Sequence, residues 1–426
     1  MKIILQVLAA SSLIFLPALA RPSSHRHLHH AQRREPDTYN LDPRGVEFPG
    51  PYIPNAPATA TYPQATSVRF QTKVAKEAPS VKTLNYTEPA IFLNSDGNVH
   101  PVLRDLGFSG VLDGHVIWSW GDTLIGTPES FQITAVDSTT IGDLSRPMVS
   151  KDTSMSGKSI QSFIPLNDEE KASGGYAHYA FGGTNIIQTY PGRGLVYYLK
   201  IWRSADKNTP TKVYGAGAAK VNLDENNVPY ATRYGDSDTM WGPNEPTWGS
   251  VGIAIDARDD HIYIYGGGPS SDEELRYYTF LARVRRGHAA EIDAYEYWDQ
   301  SNQSWGKQRI GDGSNGTLKL TGDMAIFGKY KMNQASPFWS NYYNRWMFIY
   351  GNGFGTTDVL LMTADNLYGP WEDHDSIAET RPNVPTDSNN MRYCVTGHPE
   401  FDNTGKTVLV TWTRANTIYG LEVEWS

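Results

Sequence analysis

Five runs of apolar, β-branched and aromatic residues recur along this chain, and they limit its possible folds more than any other feature. The runs are HVIWSWGDT (115–123), GLVYYLKIW (194–202), HIYIYGG (261–267), RWMFIYGN (345–352) and TVLVTWTR (407–414). Helix-length amphipathic segments are almost absent between them. Such short runs, bounded by turn residues, are typical of β-strands in an all-β protein.

Several runs share one plan: a strand, a tight Asp or Asn turn and a second, apolar strand, as in VGIAIDARDDHIYIYG and HPEFDNTGKTVLVTW. The five units average ~69 residues each, which is longer than the ~40–45 residues of the commonest propeller repeat. The additional residues can form long loops between the strands. We therefore predict an all-β fold, a five-bladed β-propeller. The segment IYGLEVEW (418–425) is expected to complete the last blade with the N-terminal strand. The alternative, a double-sheet jelly roll or sandwich, would not show five similar hairpins.

The N-terminus has the pattern of an export signal. Residues 1–20 combine a basic start, an apolar run and the small residues Ala18 and Ala20, as in a cleaved signal peptide. Residues 21–34 form a basic pro-segment that ends in the dibasic pair Arg33 and Arg34; an uncut basic tail is the alternative. We expect residues 35–82, rich in Pro, Ala and Thr, to be a linker or surface strap, and residues 83–426 to be the propeller domain.

The charge of the chain restricts its partners. The formal net charge is −9, and residues 1–34 carry five cations and no acid, so the remainder has a charge of −14. This negative charge argues against nucleic acid or an anionic membrane as a partner, and it suits a neutral or cationic substrate. No other run approaches the ~18 apolar residues of a membrane span. We expect a secreted, extracellular monomer.

Export gives meaning to three glycosylation sequons, at Asn85, Asn302 and Asn315. It also permits disulfides, but the single cysteine, Cys394, has no partner within the chain. Cys394 is therefore expected to be a small buried residue.

The segment from Arg104 to Thr123 contains the most informative hairpin. Asp113 and Gly114 lie between two apolar runs and predict a two-residue turn. Strands that pair symmetrically about this turn place Phe108 opposite Ser119, and Asp105 opposite Asp122. Side chains directly opposed in this way have Cβ atoms ~4.5–5.5 Å apart.

Two carboxyl groups that lie so close repel each other, so one pKa should rise and the pair should share a proton near neutrality. Glycoside hydrolysis uses such a pair. The alternative is that Asp122 caps a turn and Asp105 is a solvated strand-end residue. Arg104 lies beside the pair in sequence but is expected to point to the opposite face.

Several motifs in their order along the chain resemble a known family. They are RDLGFSG with WSWGDT, YYTFLARV, AYEYWDQSNQSW, ASPFWSNYYNRWMFIYG, NLYGPWED and GHPEFDNTGKTVLVTW. Together they resemble the secreted five-bladed propellers long catalogued as a domain of unknown function and linked to endo-D-arabinanases. More distantly they are similar to the arabinanase and β-xylosidase propeller glycosidases, in which a GPW element is common.

This resemblance covers about residues 90–425 and implies a central channel with an active site at one mouth. Asp105 and Asp122 match the acidic positions of the first-blade motif. Leu106 departs from the family, because a small residue is expected before Gly107.

Other residues are candidates for contacts with substrate. Glu245 stands before a predicted inner strand and could supply a third carboxylate, although a Glu between Pro and Gly is more often a loop residue. His398 and Glu400 could line the channel mouth, with a satisfied core histidine as the alternative for His398. The tryptophans expected in loops, which could stack on sugar rings, are Trp241, Trp248, Trp339 and Trp371.

The sequence thus predicts a glycoside hydrolase that acts on a furanoside-containing, arabinan-like polysaccharide, with Asp105 and Asp122 dividing the acid and base roles. The alternative is a carbohydrate-binding propeller without catalysis. No cofactor is expected, and no motif supports a structural calcium ion in the channel. A propeller that binds other proteins is disfavoured by export and by the two acids.

Overall fold

The computed structural model describes residues 78–426 except 95, 126–131, 136, 154, 157–158, 205, 207–208, 236–238, 354, 356 and 381–391. The predicted signal peptide, the pro-segment and most of the strap lie outside these residues. In the described part of the chain no helix is long and apolar enough to cross a membrane.

The first strands of the chain build blade 1, except for β1, which belongs to the last blade. They are β1 (Val81–Tyr86), β2 (Ile91–Leu93), β3 (Val102–Leu112), β4 (His115–Ile125), β5 (Gln132–Ala135), β6 (Ser138–Asp143) and β7 (Arg146–Asp152). Blade 1 has the strand order β2-β7-β6-β4-β3, and β5 pairs with β4. Strand β3 is the inner strand of this blade.

A short hairpin and a helix connect blade 1 to blade 2. The elements are β8 (Met155–Ser156), β9 (Ser159–Ile160), α1 (Asp168–Ala172), β10 (Tyr179–Gly183), β11 (Ile187–Tyr190), β12 (Arg193–Trp202), β13 (Lys212–Leu223) and β14 (Pro229–Arg233). Blade 2 has the order β10-β12-β13-β14, with β11 also on β12. Helix α1 begins with a capping box, in which Asn167 and Glu170 each accept the other's backbone N–H.

Blades 3 and 4 each start with their inner strand. Their strands are β15 (Thr247–Asp256), β16 (His261–Gly267), β17 (Thr279–Arg285), β18 (Glu296–Asp299), β19 (Ser304–Gly306), β20 (Ile310–Gly311), β21 (Leu318–Lys319), β22 (Phe338–Ser340), β23 (Arg345–Tyr350), β24 (Asp358–Ala364), β25 (Glu372–Asp373) and β26 (Ala378–Glu379). Strands β15 to β19 form blade 3, and β22 to β26 form blade 4, while β20 and β21 pair with each other. Short 3₁₀ turns are Gly175–Ala177, Leu275–Tyr277, Arg286–His288, Ile292–Ala294, Gly322–Met324 and Pro399–Phe401.

The last blade joins the two ends of the described chain. It consists of β27 (Arg392–His398), β28 (Thr407–Arg414), β29 (Thr417–Trp425) and the N-terminal strand β1. Strand β1 pairs antiparallel with β29 from Val81 opposite Trp425 to Tyr86 opposite Leu421. The predicted closure of the last blade is confirmed. The pairing begins at Val81, two residues before the predicted domain start at Thr83.

Five hydrophobic clusters fill the five spaces between neighbouring blades of the described structure. Each cluster includes residues of both blades that it joins, for example Ile117 and Phe181, Tyr197 and Ile262, Tyr265 and Phe348, Ile349 and Val410, and Leu409 and Val111. Because the fifth cluster joins blade 5 to blade 1, the sheets form a closed ring. The prediction of a five-bladed β-propeller is confirmed, and the sandwich is excluded.

Polar side chains hold the inner strands together at the propeller axis. Asn185 of blade 2 donates through Nδ2 to the carbonyl of Ile253 at 2.9 Å and accepts the Ile253 N–H at 3.2 Å. The Ser336 hydroxyl of blade 4 donates to Asn185 Oδ1 at 2.8 Å, and the Ser336 N–H donates to Thr396 Oγ1 of blade 5 at 3.1 Å. We call Asn185, Ser336 and Thr396 the axial latch.

Asn185→Ala is expected to lower the free energy of unfolding by about 3 kcal/mol, because three buried hydrogen bonds between blades are lost at about 1 kcal/mol each. Denaturation in urea, followed by tryptophan fluorescence, would measure the change. Asn222→Ala is the matched control. It loses one surface hydrogen bond to the carbonyl of Gly192 and should cost less than about 1 kcal/mol. A loss as small as that of the control would show that the latch does not hold the blades together.

Candidate functional site

The first hairpin has the predicted two-residue turn. Asp113 and Gly114 have φ values of 44° and 85°, the left-handed conformations that such a turn requires. Leu112 pairs with His115, and the register continues unbroken to Phe108 opposite Ser119. The turn and this part of the predicted register are confirmed.

Beyond Phe108 two bulges change the register and then restore it. Gly107, with φ of 106°, is an extra residue on β3, so Leu106 pairs with Trp120; Arg104 then pairs with Thr123. Asp105 therefore faces Gly121 and Asp122 together. The predicted one-to-one opposition of Asp105 and Asp122 is wrong in this respect, because paired bulges cannot be read from a symmetric count.

The bulges explain why position 107 is a glycine and why Leu106 has a left-handed backbone conformation. A Cβ at Gly107 would lie 2.9 Å from the Trp120 ring, so a side chain there would clash. Leu106 has φ of 65°, an unfavourable value for a branched side chain, and it packs with Phe108, Tyr393 and Cys394. Cys394 is buried, as predicted.

Asp105 is a buried acid with a raised pKa. Its side chain is 2% exposed, and Oδ2 accepts the Tyr393 hydroxyl at 3.3 Å. Burial, and then the negative charge of Asp122, raise the pKa of Asp105 to about 7, although Arg203 and the backbone N–H of Asp122 act in the opposite direction. Gly121 makes room for the carboxyl group, since a Cβ there would lie 2.1 Å from Oδ1.

Asp122, which is equally buried, is paired with a cation from the next blade. Arg203 Nη1 donates to Asp122 Oδ1 at 2.9 Å and to Oδ2 at 3.1 Å. Arg203 directly follows β12 and is itself fixed by His178: the Arg203 N–H donates to the His178 carbonyl at 2.7 Å, and His178 Nδ1 lies 2.9 Å from the Arg203 carbonyl. The two carboxyl groups thus have different environments, one paired with a cation and one without a cation of its own.

A third buried carboxyl group, that of Asp137, lies near the pair. Burial raises the pKa of Asp137 to about 8, and the charge of Asp122 contributes in the same direction. Asp137 Oδ2 accepts the Ile164 N–H at 2.6 Å, so this residue anchors the connection to blade 2. Asp137, Arg203 and Tyr393 were not predicted, because no local pattern in the sequence distinguishes them.

Arg104 points away from the acids, as expected for the residue next to Asp105 on a strand. Its guanidinium donates to Asp152 and lies 4.5 Å from the centre of the Phe92 ring. It takes no part in the site.

A comparison with known families identifies the family of the chain. The model of the family described as Domain of unknown function (DUF5005) matches residues 105–419. The chain belongs to this family. The matched segment starts at Asp105 and includes Asp122, Asp137, Arg203 and Tyr393. No curated protein matches the sequence.

Solved structures similar to this DUF5005 chain have low sequence identity to it. A candidate hydrolase from Bacteroides ovatus is 16% identical with a TM-score of 0.52, covering 75% of this chain and 85% of its own. A GH43_1 enzyme from Xanthomonas citri is 10% identical with a TM-score of 0.41, covering 76% and 88%. A family 117 glycoside hydrolase from Zobellia galactanivorans is 9% identical with a TM-score of 0.39, covering 81% and 90%. The first of these similarities supports the fold of the DUF5005 chain and nothing beyond it.

Two of the four predicted sugar-stacking tryptophans, Trp241 and Trp248, belong to the core of the DUF5005 propeller, whereas Trp339 and Trp371 are partly buried and Trp339 lies in β22 rather than in a loop. Trp241 and Trp248 are 0% exposed and pack between blades 2 and 3. Trp339 packs edge-on against Trp346 and under the Arg258 guanidinium, and Trp371 packs on Phe348. The prediction that Trp241 and Trp248 bind substrate is wrong, because loops that return to the axis carry their large apolar side chains into the space between blades.

Glu245 closes its own turn on blade 3. It accepts the Gly242 N–H through Oε2 at 2.8 Å and forms an ion pair with Arg309, whose Nε lies 2.9 Å from Oε1. Its side chain is buried by these contacts. Glu245 is therefore not a third carboxylate of the acidic pair, and it has the loop role that was the alternative.

His398 and Glu400 lie at the other end of β27 from Tyr393. Ser109 Oγ lies 2.5 Å from His398 Nδ1 and donates to Glu400 Oε1 at 2.7 Å, while His398 Nε2 lies 2.7 Å from Thr411 Oγ1. Both residues are 1% exposed, and burial lowers the pKa of His398 to about 3. They form a buried polar group beside Ser109, four residues beyond Asp105 on β3. Both ring nitrogens of His398 have partners, as in the alternative of a satisfied core histidine, and a position at the channel mouth stays a prediction.

Glu400→Gln is expected to stabilise the protein at neutral and higher pH. Burial raises the pKa of Glu400 from 4.5 to about 7, so its folded form binds a proton that the unfolded form releases above pH 4.5. Stability should fall as pH rises from about 4.5 to 7, by about 3 kcal/mol for this group. Gln mimics the protonated acid and removes that loss.

Urea denaturation at pH 4 and pH 8 would check this. The variant should match the natural protein at pH 4 and exceed it at pH 8, whereas Glu169→Gln, an exposed change on α1, should match it at both. Equal stability of Glu400→Gln and the natural protein at pH 8 would contradict the expectation.

The three sequons are accessible, since Asn85, Asn302 and Asn315 are all exposed. Among the described residues no group of three or more His, Cys, Asp or Glu side chains is placed to hold a metal ion. The predicted pro-segment, whose histidines are His25, His27, His29 and His30, lies outside the described residues.

Proposed function

We propose that this chain is a secreted glycoside hydrolase that acts on a furanoside-containing, arabinan-like polysaccharide. The observation that carries the proposal is the contrast between Asp105 and Asp122. One carboxyl group is buried with its pKa raised to about 7, and its neighbour forms an ion pair with Arg203. Two adjacent titratable groups with such different environments are the usual arrangement for acid and base roles.

The different surroundings of the two carboxyl groups assign their catalytic roles. Asp105 holds its proton near neutral pH and acts as the general acid, protonating the oxygen of the leaving sugar. Asp122, which is paired with the Arg203 guanidinium, acts on the anomeric carbon, directly as nucleophile or through a water molecule as base. Tyr393 donates to Asp105 and orients its carboxyl group.

The substrate class follows from charge and from the resemblance to endo-D-arabinanases. A body with a net charge of −14 after residue 34 repels anionic polymers, which favours a neutral glycan. Burial of Trp241 and Trp248 removes two of the four tryptophans expected to stack on sugar rings, both for a hydrolase and for the rival hypothesis, a lectin without catalysis. The leader and the exposed sequons support secretion as a glycoprotein.

The test is a hydrolysis screen with the purified full-length secreted protein. Plant, fungal and bacterial cell-wall glycans, including L- and D-arabinans, would be incubated at pH 5 to 8 and the released oligosaccharides analysed by mass spectrometry. We expect release from a neutral furanoside polymer. Binding of a glycan without any release across the panel would overturn the hydrolase in favour of the lectin.

A further inference from the structure

His178 lies where blade 2 approaches the acids of blade 1. It is the last residue before β10, and it faces Arg203, the first residue after β12. Strands β10 and β12 pair from Tyr179 opposite Trp202, so His178 and Arg203 stand where the next pair of the ladder would be. Arg203 in turn donates to both carboxyl oxygens of Asp122.

The His178 side chain completes this pair in place of its backbone. The Arg203 N–H donates to the His178 carbonyl at 2.7 Å, as in a continued ladder, but the His178 N–H donates to the Gly175 carbonyl of the preceding 3₁₀ turn at 3.0 Å. His178 Nδ1 instead lies 2.9 Å from the Arg203 carbonyl. Because a carbonyl only accepts, Nδ1 carries the proton and donates. We call these two hydrogen bonds to Arg203 the His178 clamp.

Packing fixes the imidazole ring in this position. It stacks on the Trp202 ring, with the ring centres 5.6 Å apart and the planes 12° apart. A Cβ at Gly174 would lie 2.4 Å from His178 Cδ2, so the glycine lets the ring approach the backbone. Since β12 ends at Trp202, the clamp rather than the ladder fixes the backbone from which the Arg203 guanidinium reaches blade 1.

We propose that His178 is a positioning residue of the candidate site: its clamp fixes Arg203, and Arg203 fixes the Asp122 carboxyl group for its action on the anomeric carbon. The proposal rests on the proposed function and deepens it, because it names the residue that controls the orientation of the nucleophile or base.

Three substitutions test the donor at Nδ1. His178→Ala removes it, His178→Asn restores it because the asparagine amide nitrogen can occupy the position of Nδ1, and His178→Gln places its amide one bond further away. The substrate is the cleaved glycan, with linear arabinan as the first probe. We expect kcat to fall by about 10- to 100-fold in His178→Ala and His178→Gln, the effect of a misplaced catalytic group, and to recover to within about 3-fold in His178→Asn. KM should change by less than about 2-fold, because the clamp acts on the reacting groups and not on binding.

The pKa of Asp105 gives a second measurement, which needs no hydrolysis. Asp122 faces Asp105 from β4, Arg203 from blade 2, and the Tyr393 hydroxyl and the Cys394 thiol from β27. The charge of Arg203 lowers the pKa of Asp105. A guanidinium that leaves the pair lowers it less. In carboxyl ¹³C NMR the Asp105 midpoint should therefore rise above about 7 in the Ala and Gln variants, and stay near 7 in the Asn variant.

His261→Ala is the matched control. His261 Nδ1 also lies 2.8 Å from a backbone carbonyl, that of Asp259, but on blade 3. Both kcat and the Asp105 midpoint should keep their natural values in this variant.

The outcomes separate the two proposals. Hydrolysis by the natural protein, with a kcat or an Asp105 midpoint that His178→Ala leaves unchanged, would overturn the positioning role and leave the hydrolase standing. A His178→Asn protein as impaired as His178→Gln would also overturn it, because the ring and not the donor would then matter. If His178→Ala does not fold, the comparison of these two variants decides alone. A midpoint that follows the donor, with no hydrolysis of any glycan in the screen, would overturn the hydrolase and leave the clamp as the device that holds Arg203 beside the acids.

Discussion

Asp105→Asn is expected to reduce kcat on the cleaved glycan by about 10²- to 10⁴-fold, the usual contribution of a general acid. The amide has the shape of the carboxyl group and still accepts the Tyr393 hydroxyl, so fold and ligand binding should persist. It cannot deliver a proton to the leaving oxygen. Asp122→Asn should cause a loss of the same order, because an amide neither attacks the anomeric carbon nor activates water.

Asp256→Asn is the control for these variants. Asp256 is also a buried carboxylate bound to an arginine, with its Oδ1 and Oδ2 at 2.9 and 3.1 Å from Arg258 Nε, but it ends β15 on blade 3. Its replacement should change kcat by less than about 2-fold while costing stability of the order of an ion pair. Retention of more than about a tenth of kcat by Asp105→Asn would remove Asp105 from the acid role.

The first hairpin shows how far sequence reasoning reaches. The Asp113-Gly114 dipeptide needs left-handed backbone at both positions, so the turn and the pairing near it follow from local chemistry. The bulges at Gly107 and Gly121 depend on the Trp120 ring and on the position of Asp105. These contacts exist only after folding, so the detailed opposition of the acids could not be counted from the turn.

The rest of the candidate site comes from distant parts of the chain. Arg203 directly follows β12, like many other charged residues at strand ends, and Tyr393 is 288 residues from Asp105. Neither has a local signature, because the propeller ring alone brings blades 1, 2 and 5 together. The fold could be predicted because it depends on local sequence. The same hairpin pattern of strand, tight turn and apolar strand repeats along the chain.

The prediction for Trp241 and Trp248 is wrong for a different physical reason. A loop position in the sequence suggests an exposed side chain. In a propeller, however, the connection between two blades passes the axis, and its large aromatic rings fill the space between the sheets. Trp241 contacts Tyr295 edge-on at 4.9 Å within such a space.

Asp122→Asn is also expected to lower the pKa of Asp105, and this is the most specific test of the pair. After burial, the charge of Asp122 is the largest cause that raises the pKa of Asp105 to about 7, while Arg203 acts to lower it. Removing the Asp122 charge removes the repulsion that raises the pKa of Asp105. It also leaves the Arg203 guanidinium without its carboxylate partner, so that its positive charge acts more strongly on Asp105. Both changes favour the ionised form, so the sign is fixed.

Carboxyl ¹³C NMR of labelled protein would follow the titration, with the Asp105 signal assigned by its absence in Asp105→Asn. The midpoint should lie near pH 7 in the natural protein and fall in Asp122→Asn, while Asp256→Asn leaves it in place. In the natural enzyme kcat/KM should then decline as pH rises through about 7, because the acid must carry its proton to act. An Asp105 midpoint that does not move when Asp122 is neutralised would mean that burial alone sets it, and that the two carboxyl groups do not work as a pair.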